Sequence, residues 1–175
     1  MTFVFPDIRY KDKATRYINE FYENDSEING SGSLARYLKE STYEEWLKRV
    51  ISSVDIANIP QGRVPSLTYF YVREEDDEIV GMVNLRLARN DFINDEVGHI
   101  GYAVRPTERG KHYATNMLKE ALKVYDILGI REVILTCDKT NTASEKVILN
   151  CGGTLVSEFY SESFQQVIRK YVIIL

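Results

Sequence analysis

The residues with the clearest chemical potential lie in one stretch, residues 98–118, where a strand pattern runs into Pro106 and a helical pattern follows. The short connection between them holds Arg109 and Gly110, with Lys111 directly after. A helix start leaves backbone N–H groups unpaired, and the helix dipole adds partial positive charge at the same place. Such a junction binds a pyrophosphate with few side chains. The stretch therefore predicts a site for a phosphate-containing ligand.

Two widespread phosphate-binding motifs are missing from this stretch. A Walker A loop requires GxxxxGK(S/T), and a Rossmann dinucleotide site carries GxGxxG. Residues 98–118 contain neither pattern. Lys111 has a structural interpretation as a solvated lysine, but a cation at a helix N-terminus is unfavourable without an anion nearby. That conflict favours the phosphate interpretation.

Three side chains just before the junction could transfer a proton, namely Glu96, His99 and Tyr102. The pattern predicts one strand from Glu96 to Val104, in which Glu96 and Tyr102 share a face and His99 points to the other unless a bulge reverses it. Each residue also has a structural interpretation. Glu96 would be a solvated strand end, Tyr102 a packing residue, and His99 a hydrogen-bonded histidine of the core.

The sequence predicts no metal site. His99, His112, Cys137 and Cys151 do not have the spacing of zinc ligands, and the five consecutive acids at residues 74–78 are expected to form a solvated hairpin turn on which they splay apart. Two cysteines also make no disulfide framework. We therefore expect a cytoplasmic protein, since a reducing compartment is typical of such a chain.

Hydrophobic periodicity predicts one α/β domain over residues 1–175. Helical spacing begins near residue 14, and Thr42-x-x-Glu45 matches a capping box before a second helix. Antiparallel strands are expected at 67–72 and 79–87, the second with a bulge near Gly81. Later elements alternate: a helix over 111–128, a buried strand over 132–137, a helix capped by Thr142-x-x-Glu145, and a closing hairpin of strands 154–160 and 167–175.

Two segments resemble the GNAT superfamily of N-acetyltransferases. Residues 109–114, Arg-Gly-Lys-His-Tyr-Ala, are similar to its acyl-CoA signature Q/R-x-x-G-x-G/A, and the preceding Ala-Val-Arg-Pro is similar to the strand that leads into that loop. Asn141-Thr-Ala-Ser144 with Val147 resembles the second family motif, and the patterns HIGY, VRPxxR and CDxxN resemble one branch of the superfamily. The resemblance implies a mixed, mostly antiparallel sheet with a splayed central parallel pair, flanked by helices.

The resemblance also implies acetyl-CoA as the co-substrate and assigns residues to it. Ala103 and Val104 would pair through their backbone with the pantetheine arm. Asn141 would contact pantetheine, and Ser144 would lie near the phosphates. The pyrophosphate would be cradled by the junction residues Arg109, Gly110, Lys111, His112, Tyr113, Ala114 and Thr115. Asn141 is also a possible helix N-cap, and capping is compatible with a ligand contact.

Three positions depart from the family pattern. His112 replaces the signature glycine, which permits close backbone approach to phosphate, so its side chain must point away. The glutamate that often serves as base aligns with Gly98, and the tyrosine that often serves as acid aligns with Ile148. Neither Gly98 nor Ile148 can transfer a proton, which leaves Glu96, acting through water, His99 and Tyr102 as candidates.

The predicted function is acetyl-CoA-dependent N-acetyl transfer, directly to a primary amine of a small molecule or peptide. A non-catalytic acyl-CoA-binding sensor or regulatory module is the alternative, and closure of the phosphate site by His112 is a third possibility. A net charge of −4 disfavours nucleic acid as a partner, and no apolar run approaches the roughly 20 residues of a membrane span. A monomer or a homodimer is expected.

Overall fold

The computed structural model describes residues 1–175 as seven strands and five α-helices. The strands are β1 Thr2–Val4, β2 Ser66–Arg73, β3 Glu78–Arg86, β4 Ile100–Val104, β5 Glu132–Asp138, β6 Thr154–Ser161 and β7 Gln166–Ile174. The helices are α1 Lys11–Glu23, α2 Leu34–Glu40, α3 Tyr43–Ser52, α4 Tyr113–Ile127 and α5 Thr142–Asn150. Short 3₁₀ turns lie at Ile8–Tyr10, Ile56–Asn58 and Pro106–Glu108, and a π-helical turn at Ile93–Val97. No helix is long and apolar enough to cross a bilayer.

Two antiparallel sheets meet at the centre of the molecule. The first has the order β1-β2-β3-β4 and the second the order β5-β7-β6. Val80 lies between two β3 residues that pair with consecutive residues of β2, so β3 bulges beside Gly81 as the sequence predicts. The closing hairpin is also confirmed, because β6 and β7 pair antiparallel.

Strands β4 and β5 touch at one point and then separate. His99, just before β4, donates its backbone N–H to Ile134 O at 2.7 Å. Its ring Nδ1 accepts the Ile134 backbone N–H at 2.9 Å. Beyond this junction both strands continue in chain direction along opposite walls of one groove. The splayed central pair and the mixed, mostly antiparallel α/β fold are therefore as predicted.

The predicted strand over residues 96–104 is wrong in its first four residues. Ile93–Val97 forms a π-helical turn. Gly98 ends it with φ 63° and ψ −175°, a backbone region open almost only to glycine. A Cβ at Gly98 would lie 2.7 Å from Ile134 O. Close contact with β5 therefore forces an irregular backbone at Gly98, and the argument that Glu96 and Tyr102 share a strand face does not hold.

The two predicted capping boxes have different outcomes. Thr42 caps α3 and its side chain accepts the Glu45 N–H at 3.2 Å, as predicted. Thr142 lies inside α5, and Asn141 is the cap, its side chain accepting the Ser144 N–H at 3.0 Å. Glu145 instead receives hydrogen bonds from Arg169 and Tyr171 of β7. The capping-box prediction at Thr142 is therefore wrong, because the asparagine one residue earlier satisfies the helix N-terminus.

Helices cover both faces of the first sheet. On one face, α1, α2 and α3 bury an aromatic cluster around Tyr17, Trp46 and Phe70. On the other, α4 and α5 pack Met117, Leu122 and other apolar residues against β4, β5 and β7. Burial of this apolar surface holds β4 between two layers, so the strand is rigidly placed although its edge toward β5 is unpaired.

Candidate functional site

A groove of about 1000 Å³ opens where β4 and β5 separate. Its size suits a ligand of cofactor dimensions. Four elements supply its walls: β4, β5, the N-terminus of α4 and one face of α5. The segment between α1 and α2 and the loop before β7 close its remaining side. The groove therefore joins the predicted phosphate site to the end of β4 where Glu96 lies.

The backbone of β4 presents unused polar groups to this groove. Arg86 N–H donates to His99 O at 2.8 Å, and Arg105 N–H donates to Val80 O at 2.9 Å. Because hydrogen-bonded positions alternate along an antiparallel pair, residues 99, 101, 103 and 105 direct their backbone toward β3. Tyr102 and Val104 direct theirs toward the groove. The Ala103 backbone thus faces β3, where its carbonyl also accepts the Tyr17 hydroxyl at 3.0 Å.

The junction after β4 turns twice through left-handed backbone before α4 begins. Gly110 has φ 77° and His112 has φ 61°. His112 is the N-cap residue of α4 without a capping side-chain hydrogen bond. His112, Tyr113, Ala114 and Thr115 line the groove, which places the orphan N–H groups of the helix start beside the cavity. The left-handed conformation explains why glycine suits the position of His112.

The two cations predicted beside the phosphate site have partners elsewhere. Arg109 donates from Nε to Val104 O at 3.2 Å and from Nη2 to the Ser26 hydroxyl at 2.7 Å, although it lines the groove. Lys111 pairs with Glu108 at 2.7 Å and does not line the groove. Backbone N–H groups, rather than these side-chain charges, are therefore the main groups that the junction leaves available to an anion.

We expect His112→Gly to stabilise the protein by up to about 1 kcal/mol, because left-handed backbone costs other residues more than glycine, although histidine tolerates it better than most. Urea unfolding measures the change. Affinity for acetyl-CoA, the co-substrate that the family resemblance implies, should stay equal or rise in calorimetric titration. His112→Ala is the matched control, since it removes the imidazole and keeps the strain. A tenfold loss of affinity in both variants would show instead that the imidazole binds the ligand.

Tyr102 and Ser144 meet across the groove. The Tyr102 hydroxyl lies 3.0 Å from Ser144 Oγ, joining β4 to the first turn of α5. Burial raises the pKa of Tyr102 above its usual range, so the phenol stays protonated at neutral pH. Asn141, which also lines the groove, holds the Ser144 backbone through its cap. The structure thus brings together three predicted site residues, with a proton donor at the centre.

Glu96 lies at the opposite end of the groove from the junction. The π-helical turn places it there. Its Oε2 accepts a hydrogen bond from the buried Ser161 hydroxyl at 2.5 Å, near the end of β6. A carboxylate held by one hydroxyl retains further acceptor capacity, so Glu96 can still accept a proton from a ligand or water.

His99 is not on the groove wall. It is 1% exposed, its ring meets Tyr125 edge-on, and its Nδ1 accepts the Ile134 N–H. Burial lowers the pKa of His99 to about 4, so the imidazole is neutral at physiological pH. The geometry favours the structural interpretation, in which His99 fastens β4 to β5 at the point where the groove begins.

Two basic side chains of the groove were not predicted from the sequence. Arg86 ends β3, and Lys146 lies on α5. Lys146 shares a helix face with Ala143, Val147 and Asn150, a spacing readable from sequence. No sequence pattern signals Arg86, because it becomes part of the site only when β3 pairs with β4.

Residues 11–154 match the family described as acetyltransferase (GNAT) domain. The chain belongs to the GNAT acetyltransferase family. The predicted resemblance is thereby confirmed, and so is the prediction of an acyltransferase. Curated proteins give no significant match to this GNAT sequence.

Solved structures share this GNAT fold across their length. The microcin C7 self-immunity acetyltransferase MccE, in complex with acetyl-CoA and AMP, has a TM-score of 0.74 at 17% identity, covering 99% of this chain and 92% of that one. The ribosomal L7/L12 α-N-protein acetyltransferase RimL, in complex with coenzyme A, has a TM-score of 0.70 at 17% identity, covering 99% and 93%. The ribosomal-protein-S5-alanine acetyltransferase from Vibrio fischeri has a TM-score of 0.68 at 17% identity, covering 99% and 91%. These likenesses establish the fold.

Proposed function

We propose that this GNAT protein transfers an acetyl group from acetyl-CoA directly to a primary amine of a small molecule or peptide. The observation that carries the proposal is the open edge of β4 beside the start of α4. An extended pantetheine arm can pair with Tyr102 and Val104 as an added strand would. The orphan N–H groups of residues 112–115 favour a pyrophosphate at the same end of the groove. Two structural neighbours are described in complex with acetyl-CoA or CoA, which is consistent with this ligand.

The residues of the groove suit the two proton movements that amine acetylation requires. An amine must be neutral to attack the thioester carbonyl, and Glu96 is placed to accept its proton, directly or through water. A backbone N–H of β4 can stabilise the oxyanion that forms as the C–N bond is made. Breaking the C–S bond releases a thiolate, and the protonated Tyr102 hydroxyl is the donor we assign to it. The positioning of both reactants supplies a large part of the rate.

Incubation with acetyl-CoA and a broad panel of amines tests the proposal through release of free CoA, detected with a thiol reagent. We expect CoA release that depends on the amine, together with a mass increase of one acetyl group on that amine. Calorimetric titration with acetyl-CoA should show binding, and ATP, which lacks the pantetheine arm, should bind much more weakly. Acetyl-CoA binding without release across the panel would favour the sensor alternative. Absence of binding would rule out both.

A further inference from the structure

Arg86 presents an unused guanidinium edge to the groove. Its Nη1 donates to Gly98 O at 3.0 Å and to Val97 O at 3.4 Å. Its Nε and Nη2 donate to no acceptor in the protein. Neither is one of the fully buried polar atoms without a partner, so both atoms are accessible. Arg73 uses the same edge on Asp76, with Nε at 3.0 Å and Nη2 at 2.7 Å from the carboxylate oxygens. The free edge of Arg86 is thus the one that binds an anion side-on.

Arg86 also lacks a carboxylate partner, as do arginines near it. No Asp or Glu oxygen lies within 4.0 Å of Arg86, Arg63, Arg49 or Arg36. Burial lowers the pKa of Arg86, and the positive charge of Arg63 lowers it further. Burial also lowers the pKa of Arg49, and repulsion from the positive charges of Arg63 and Arg36 lowers it further. These four arginines therefore form a local surplus of positive charge in a chain of net charge −4.

Of these four arginines, only Arg86 lines the groove, at the end where the acceptor would meet the thioester. The phosphate site is at the Val104 end of β4, and strand residues advance about 3.3 Å each, so Gly101 is about 10 Å away. Arg86 Nη2 lies over Gly101, 3.6 Å from the position of a Cβ there. Glu96 lines the same end of the groove. A negative and a positive group therefore face one acceptor site.

We propose that the acceptor is an amine that also carries an anionic oxygen group, a carboxylate or a phosphate, and that Arg86 binds this group. The inference rests on the proposed acetyl transfer. Glu96 faces the amine, and the planar edge of Arg86 binds two oxygens of the anion at once. Arg63 and Arg49 add long-range attraction. A partly buried cation without a counter-ion is costly, and an anionic acceptor removes that cost on binding.

Matched amine pairs test this inference. We compare β-alanine with β-alaninamide, and 2-aminoethyl phosphate with 2-aminoethanol, by kcat/KM for CoA release. The wild-type protein should prefer the anionic member of at least one pair by about tenfold or more, and which pair does so distinguishes carboxylate from phosphate. Arg86→Gln should abolish most of that preference, mainly through KM. Arg63→Gln, an exposed substitution, should reduce it about threefold. Arg9→Gln removes an equal charge far from the groove and should leave it unchanged.

Equal activity on both members of each pair in the wild-type protein would overturn the inference while leaving acetyl transfer intact. Failure to release CoA with any amine would instead count against the proposed function. In that case, calorimetric titration of β-alanine and 2-aminoethyl phosphate still tests the anion site. Binding that weakens in Arg86→Gln and Arg63→Gln, but not in Arg9→Gln, supports it. Absence of binding to the wild-type protein, or equal affinity in all variants, overturns it.

Discussion

Gly98→Glu is expected to destabilise the protein by about 2–6 kcal/mol, although it restores the glutamate that the family often places at this position. Backbone strain at a glycine-only conformation contributes about 1–3 kcal/mol, and forcing a side chain into a filled site contributes about as much. The new Cβ would lie 2.7 Å from Ile134 O and 3.0 Å from Leu135 Cα. Urea unfolding of the purified variant measures the loss. Acetyl transfer should fall because the β4–β5 junction moves.

Gly129→Ala is the matched control for this substitution. Gly129 also has positive φ, at 73°, but apart from its chain neighbours nothing lies within 4 Å of its Cβ position. The Gly129→Ala protein should lose only the stability that corresponds to backbone strain, about 1–2 kcal/mol. A Gly98→Glu protein as stable as the wild type, with faster turnover, would mean that the junction can rearrange and that a strand glutamate serves as the base here too.

Tyr102→Phe should lower kcat about 100-fold, because it removes the hydroxyl that we assign as proton donor to the departing thiolate. The ring remains, so acetyl-CoA affinity should change by less than about threefold. Loss of one hydroxyl contact to Ser144 should cost about 1 kcal/mol of stability. Steady-state kinetics with a saturating amine, combined with calorimetric titration of acetyl-CoA, separates these effects.

Tyr10→Phe is the matched control for Tyr102→Phe. It removes the hydroxyl that donates to Asp77 at 2.6 Å, away from the groove, and should leave kcat unchanged. A Tyr102→Phe enzyme with normal kcat would make Tyr102 a packing residue. The Ser144→Ala variant would then test whether the serine hydroxyl supplies the proton.

Local patterns in the sequence were enough to predict most elements and the family. Short-range spacing of residue types predicts three of them: the Thr42 capping box, the buried strand β5 and the closing hairpin. Each has a local periodic pattern that can be recognised in the sequence. The junction at residues 109–115 was predicted for the same reason. A strand end, a glycine and a helix start are local features, and their N–H groups point one way in any fold that keeps them together.

Only the tertiary structure decided which neighbouring residues face the groove. Gly98 cannot hold a regular strand against β5, so the backbone is irregular there and Glu96 lies on a π-helical turn. Glu96 and Tyr102 nevertheless line the groove and His99 faces the core, the distribution that strand alternation predicts, although a different backbone produces it.

The position of Arg86 beside Glu96 could not be predicted from the sequence for a related reason. Arg86, Glu96 and Arg63 lie on separate segments, brought together by the pairing of β3 with β4 and by the contact between the loop before β2 and the end of β3. Long-range pairing of this kind leaves no local periodic signal. The sequence by itself therefore determined the strand–loop–helix junction and the family, and the packing of distant segments determined which charged groups lie at the other end of the groove.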